Sequence, residues 1–291
     1  LLKLQLFLNG INMLLDILAA GVFGLGAYGI ALGTVFSEII TCVVAFYRLR
    51  QFLAEKHDVG TSWSAFWPMD RVRELSQMGR LLTANADIMI RTLLLVFAFS
   101  YFTNEAAKFG VISLAATHIV LQIMAFTAFF LDGFAYVAES QTGRSYGARD
   151  ERAFKLAMHR TTVLAGAAAL ILALVIMLLG GSLVALLTDI DEVIASSAAL
   201  LPICAVYVIA SFPAFQLDGV FIGTSRTQEM RNASLVSLLV FLGAVWSLTA
   251  THALAGLWWA MVVFVIARAM SLWVYFPRLR SHFAPEEEVR V

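Results

Sequence analysis

The sequence has little charge and almost no cysteine. Only 14% of its 291 residues are charged, against about 25% in ordinary soluble domains, and the charges balance to a net of zero. The low charge excludes an ordinary soluble domain, and the zero balance gives no argument for binding nucleic acid. The two cysteines, Cys42 and Cys204, stand singly in apolar segments without a CxxC motif, so we expect inert packing residues rather than a metal or redox site.

What remains is largely apolar. Hydrophobic residues make up 60% of the chain and the mean hydropathy is +0.84. A helix that crosses a bilayer needs around 20 apolar residues. Such runs predict an all-α integral membrane protein with eight transmembrane helices. They lie near 2–24, 27–48, 80–103, 111–137, 155–180, 193–222, 232–250 and 254–276.

The basic residues predict the orientation. Nearly all of them lie in alternate loops, whereas the opposite set of loops holds only Lys108. Because basic loops stay in the cytoplasm, we expect both ends of the chain there. The chain begins at Leu1 and becomes apolar almost at once, which is typical of neither a signal peptide nor a natural start, so we expect an N-terminally incomplete chain.

One long polar stretch divides the chain. Residues 51–79 predict a cytoplasmic linker with a short amphipathic helix between two helical bundles. Residues 1–50 then form one bundle, residues 80–280 form the other, and residues 281–291 form a cytoplasmic tail.

Polar residues form matching stripes on the first two spans. Asn12 and Asp16 lie one turn apart on the first span, and Thr34 and Glu38 lie one turn apart on the second. Facing each other, these stripes would build a hydrated pocket for a proton or cation. The alternative is that they only hold the helices together, since interhelical hydrogen bonds contribute about 0.6 kcal/mol each on average.

Further charges lie inside the later spans. Asp87 and Arg91 are spaced i, i+4, which predicts an ion pair along one helix. We expect Arg268, in the last span, to extend to the inner membrane surface. No metal site is predicted.

Two more carboxylates are candidate site residues because charges within a span usually face a protein interior or a cavity. Asp132 lies near the end of the fourth span, where residues 131–150 predict a break into a Gly-rich loop. Asp218 follows Pro213, with Tyr207 on roughly the same helical face, and it is a candidate for binding an ion or substrate.

Four sequence strings carry a family resemblance. The chain resembles the DinF-type branch of the multidrug and toxic compound extrusion (MATE) transporters over all its residues. The matching strings are NGINMLLD at 9–16, NADIMIRTLLL at 85–95, LDGFAYVAESQTGRSYGARD at 131–150 and LDGVFIGTSRTQEMRN at 217–232.

The resemblance implies a twelve-helix fold of two six-helix lobes, of which this chain supplies the last two helices of the N lobe and the whole C lobe. It also implies a cation site in the N lobe that falls on Asn12, Asp16 and Thr34. Other branches place an ion-linked acidic pair in the C lobe; Asp87 and Asp218 lie on those helices but do not match that motif.

Function follows from the resemblance as an expectation. We expect a multi-pass bacterial inner-membrane protein, monomeric and not an enzyme, that exports amphipathic, often cationic, small molecules. Protons or sodium ions would be the coupling ions, with no cofactor and no nucleic acid partner. A flippase for lipid-linked precursors is the nearer alternative, and an intramembrane enzyme is the more distant one.

Overall fold

The computed structural model describes residues 2–57 and 75–283. Seven of its helices are long and apolar enough to cross a membrane, which confirms an all-helical membrane protein. The chain divides into two compact units, Leu1–Gly79 and Arg80–Val291. Most of the predicted linker and tail lies outside the described residues.

The first unit is a pair of helices joined by a tight turn. Helix α1 (Leu2–Asp16) continues into a π-helical turn (Ile17–Val22), and α2 (Gly26–His57) follows. A Cβ added at Gly29 would lie 2.7 Å from the carbonyl carbon of Ala19. The helices can approach this closely because glycine has no side chain, as in other membrane helix pairs with small residues four apart.

The second unit contains the remaining helices, except for the first five residues of α3. The side chain of Asp150 caps α5 by accepting a hydrogen bond from the backbone N–H of Ala153 at 2.9 Å. Helix α6 packs against α4, α5 and α7 and contributes much of the buried core. The helices are α3 (Leu75–Ala107), α4 (Val111–Gly147), α5 (Glu151–Leu187), α6 (Asp191–Gly223) and α7 (Thr227–Arg280), followed by a 3₁₀ turn (Ser281–Phe283).

Helix α7 reverses direction at its middle. Its 54 residues would span about 80 Å as a straight helix, but Ala253 has φ 50° and ψ −130°. The rings of Phe241 and Phe264, which a straight helix would separate by about 35 Å, have centroids 5.4 Å apart. The two halves of α7 therefore pack against each other as antiparallel segments.

Helices α4 and α6 cross at very short distance. A Cβ added at Gly219 would overlap the carbonyl oxygen of Ala135, and one at Gly223 would overlap that of Glu139. On α4, a Cβ added at Gly143 would lie 2.6 Å from the carbonyl oxygen of Gly223 on α6. Glycines four residues apart on α6 thus remove the bulk that would otherwise separate the two helices.

The predicted Gly-rich loop within residues 131–150 is wrong, because α4 continues as helix to Gly147. Its small residues serve the crossing with α6 instead of breaking the helix. Its hydroxyl groups are satisfied within the helix: Thr142 Oγ1 donates to the carbonyl of Ala138 at 2.7 Å, and Ser145 Oγ donates to that of Gln141 at 2.9 Å.

Candidate functional site

The first unit brings together three of its four predicted site residues. Asn12 Nδ2 donates a hydrogen bond to Thr34 Oγ1 at 3.2 Å. The carboxylate of Asp16 lies against Gly33, the neighbour of Thr34, where a Cβ would overlap Oδ1 of Asp16. Glu38 lies one turn further along α2 and is exposed.

The Asp16 carboxylate has an oxygen without a partner. Oδ1 of Asp16 is buried and accepts no hydrogen bond from any residue that the structure describes. A buried carboxylate oxygen without a hydrogen-bond partner is unfavourable, so this position is suited to a bound partner that compensates the oxygen. The absence of a side chain at Gly33 leaves the space that this carboxylate occupies. Sequence reasoning missed Gly33, although its spacing of four from Gly29 was a signal.

The second unit contains a buried cluster of one carboxylate and two guanidinium groups. Asp218 Oδ2, on α6, accepts a hydrogen bond from Arg91 Nη2, on α3, at 2.7 Å. The same oxygen forms an ion pair with Arg268 on the second half of α7. All three side chains are mostly buried. Asp218 therefore joins α6 to the distant helix α3 and to the second half of α7.

This cluster corrects the expectation for Arg268. We expected its side chain to extend to the membrane surface, but only 8% of the residue is exposed and it turns inward to Asp218. The physical reason is that the ion pair with Asp218 compensates the positive charge of Arg268 inside the bundle, so the side chain does not need to reach water. Its position in an apolar run, the signal for a buried charge, was visible in the sequence.

The predicted ion pair between Asp87 and Arg91 is also wrong. Asp87 Oδ1 accepts from Arg231 Nη1 at 2.6 Å, and its Oδ2 accepts from Thr227 Oγ1 at 3.2 Å. A pair along one helix contributes only about 0.2–0.5 kcal/mol. An uncompensated buried charge costs about 3–5 kcal/mol, so pairing Arg91 with buried Asp218 is the stronger requirement.

A cavity of about 630 Å³ lies between α3, α4, α6 and α7 and is lined by the Asp218 cluster. Helix α4 contributes Asp132, Tyr136 and Glu139, which are spaced i, i+4 and i+7 and so share one face. The remaining wall is largely apolar. Its aromatic members are Phe99, Tyr136, Tyr207, Phe215 and Phe264.

The ionisable groups of this cavity leave it negatively charged. Two arginines and three carboxylates line it among the described residues, so one negative charge remains when all five are ionised. Asp218 is already shared by two guanidinium groups. Asp132 interacts electrostatically with Arg91 and Arg268, but neither it nor Glu139 forms a hydrogen bond or ion pair with another described side chain. Aromatic rings beside carboxylates are the surroundings in which proteins bind organic cations.

The structure thus brings most of the predicted second-unit residues into one place. Arg91, Asp132, Tyr207 and Asp218 line the cavity, whereas Asp87 belongs to the separate contact with Arg231. Sequence reasoning missed the contribution of Tyr136, whose spacing of four from Asp132 was the available signal.

Membrane-length helices around a cavity with buried ionisable side chains are typical of polytopic proteins of the transporter class. Comparison with known families makes this specific. The family model described as MatE matches residues 88–247, more than half of the chain. The chain belongs to the MatE family, which confirms the resemblance found in its motifs.

Individual relatives agree with this assignment. DNA damage-inducible protein F of Escherichia coli (strain K12) is 31% identical over 266 residues, which cover 91% of this chain and 56% of that protein. Protein DETOXIFICATION 42 of Arabidopsis thaliana is 23% identical over 261 residues, covering 89% of this chain and 48% of that protein. The chain therefore spans about half the length of these relatives.

The fold is similar to that of a solved MATE transporter. The crystal structure of the Vibrio cholerae MATE transporter VcmN in the bent form matches with a TM-score of 0.79 at 19% sequence identity. The match covers 96% of this chain and 62% of that one. At this identity the likeness establishes the fold alone.

Proposed function

We propose that this chain serves the export of amphipathic, often cationic, organic compounds in exchange for protons or sodium ions. The observation that carries the proposal is the cavity of the second unit, which combines a net negative charge with aromatic walls. A hydrophobic cation matches both features, because its charge is compensated while its apolar surface leaves water.

Within this cavity, Asp132 and Glu139 are the groups that we assign to the substrate. Asp218 is held by two arginines, so binding a cation there would first require breaking an ion pair. Asp132 and Glu139 have no such partner among the described residues, and Tyr136 lies between them on the same face of α4. A cation between these carboxylates would also contact the ring of Tyr136.

Coupling to an ion gradient is assigned to the first unit. Asp16 has a buried, unpaired carboxylate oxygen, and the nearby Asn12 and Thr34 supply polar groups. Uptake of a proton or cation by Asp16 would remove the unfavourable buried charge and so favour one conformation over another. This is the physical basis on which an ion gradient could drive substrate release.

The membrane arrangement is part of the proposal. If each half of α7 crosses the bilayer once, the chain crosses eight times and both ends lie on the cytoplasmic side of a bacterial inner membrane. The reversal at Ala253 supports this count. The first unit then corresponds to the last two helices of an N lobe, and the second unit to a six-helix C lobe. The chain is proposed to act as a monomer.

Transport tests the coupling proposal. The gene that encodes this chain is expressed in a bacterial strain lacking its own drug pumps, and efflux of rhodamine 6G is followed while the pH and sodium gradients are collapsed separately. We expect efflux to stop when one gradient is collapsed and to be lost in Asp16→Asn. Asp189→Asn, which removes an exposed carboxylate in the turn between α5 and α6, is the matched control and should leave efflux unchanged. Efflux that is unchanged when either gradient is collapsed, or that persists in Asp16→Asn, would contradict the proposal.

Binding tests the cavity separately. Rhodamine 6G is titrated into the purified chain, and affinity is read from fluorescence anisotropy. If each carboxylate contributes about 1 kcal/mol, as pairs at partly buried sites do, Asp132→Asn and Glu139→Gln should each weaken binding roughly fivefold. A flippase for lipid-linked precursors, which carry phosphates, would instead prefer a positive cavity. Stronger binding of an anionic dye than of rhodamine 6G would support that alternative.

A further inference from the structure

A second cavity, of about 380 Å³, lies on the surface of the second unit, between the beginning of α5 and the end of α7. It shares no lining residue with the substrate cavity. Its walls combine basic and aromatic side chains. The basic members are Lys155, His159 and Arg280, and the aromatic members are Phe154, Trp273, Phe276 and Phe283.

The charge of this cavity is positive. Lys155 Nζ lies 2.7 Å from Glu151 Oε1, and Arg280 also interacts electrostatically with Glu151. Among the described residues that line the cavity, Lys155 and Arg280 therefore share one carboxylate, which leaves one positive charge before His159 is counted. Arg278 lies on the same turn of α7 as Arg280, but its guanidinium stacks over the ring of Tyr275 at 5.1 Å and does not line the cavity.

Trp273 is the aromatic wall residue that faces outward. The rings of Trp273 and Phe276 are stacked, with centroids 5.1 Å apart and an angle of 4° between planes. Trp273 is 57% exposed, and Met270, one turn further into the span, is 65% exposed. Both belong to a membrane-length helix, so this exposed apolar surface is suited to contact lipid chains rather than water.

The charged and apolar parts are spaced like the parts of a lipid. Seven residues of helix separate Trp273 from Arg280, a rise of about 10 Å along the axis. A ligand that contacts both needs an anionic group at one end and a hydrocarbon chain at the other. A soluble phosphate compound would use the basic residues but leave the aromatic wall without a partner.

We propose that this cavity binds an anionic phospholipid, with its phosphate between Lys155 and Arg280 and one acyl chain along Trp273 and Met270. Basic pockets between transmembrane helices at a membrane surface bind such head groups. Because Lys155 belongs to α5 and Arg280 to α7, the lipid would join two helices at the end of the bundle that carries most of its basic loop residues. The site is independent of the proposed transport function.

Native mass spectrometry of the purified chain in a mild detergent tests this site. Phosphatidylglycerol and phosphatidylcholine with identical acyl chains are titrated in parallel, and bound lipid is counted. We expect phosphatidylglycerol to bind more tightly. One Lys or Arg near a charged membrane surface changes lipid affinity roughly fivefold, so Arg280→Gln should weaken phosphatidylglycerol binding by about that factor.

Two further variants separate a specific site from general damage. Glu151→Gln removes the only carboxylate among the described residues that line the cavity, so it should strengthen phosphatidylglycerol binding roughly fivefold, which disruption of the fold would not do. Lys108→Gln removes an equal charge from the turn between α3 and α4, outside the cavity, and should leave binding unchanged. Trp273→Ala should weaken binding of both lipids.

Three results would overturn the proposal. The first is equal binding of the two lipids, and the second is unchanged phosphatidylglycerol binding in both Arg280→Gln and Glu151→Gln. The third is displacement of the lipid by millimolar glycerol 1-phosphate, because that would show that the head group alone accounts for binding.

Discussion

Replacing Gly219 by alanine should destabilise the crossing of α4 and α6. The added Cβ would overlap the carbonyl oxygen of Ala135 and lie 2.9 Å from its carbonyl carbon. Both atoms are backbone, so no side-chain rotation relieves the overlap and the helices must separate. Forced overpacking costs about 1–3 kcal/mol, while alanine is favoured over glycine inside a helix by about 1 kcal/mol. Because the overlap is with backbone atoms, the upper part of the overpacking range applies, about 2–3 kcal/mol, and the expected net loss is about 1–2 kcal/mol.

The matched control is Gly133→Ala on the facing helix. A Cβ added at Gly133 meets no atom within 4 Å, so only the gain in helix propensity remains. Thermal unfolding is followed by circular dichroism in one detergent at one scan rate, because membrane proteins often unfold irreversibly. At about 2–4 °C per kcal/mol, Tm should fall by roughly 2–8 °C in Gly219→Ala and rise by roughly 2–4 °C in Gly133→Ala. A rise in Tm for Gly219→Ala, or equal shifts in both variants, would refute the close crossing.

Three further predictions concern stability. Asp218→Asn should lower the free energy of unfolding by about 3–5 kcal/mol, because it leaves two buried guanidinium groups without their shared carboxylate. Adding Arg268→Met should recover part of the lost Tm. A double variant no more stable than the single one would contradict the shared ion pair. Ala253→Gly should raise Tm by a few degrees, since relieving a positive φ is worth about 1 kcal/mol, and a fall in Tm would contradict the reversal there. A double-mutant cycle of Asn12→Ala and Thr34→Val, measured by Tm, should show a coupling of about 0.6 kcal/mol, whereas additive effects would show that the hydrogen bond is not formed.

The spans could be predicted because the bilayer imposes a length and a composition that a sequence shows directly. The end of α4 could not be predicted from the sequence, because Gly143 and Gly147 normally indicate a loop. At Gly143 the helix continues because α6 offers a partner surface, with Gly223 close against it. A local pattern cannot show which residues another helix will cover.

The candidate site shows the same limit. The stripe of Asn12, Asp16 and Thr34 follows from helical periodicity within two adjacent spans, and the structure places these residues close together. The partners of Asp87 and Arg91 lie on helices more than a hundred residues away, beyond any spacing rule. Which charged side chains pair across different helices depends on which of them are buried next to each other, and only the assembled bundle determines that.

The shared carboxylate of Asp218 has a consequence for biosynthesis. A ribosome makes Arg91 127 residues before Asp218, which at about 5–20 residues per second is a delay of roughly 6–25 s. During that time α3 carries a cation whose insertion into lipid costs about 2.5–3.5 kcal/mol, and its later partner does not yet exist. The ion pair between Arg91 and Asp218 therefore forms only after α6 has been made, so the first helix of the second unit to be translated is among the last to complete its buried contacts.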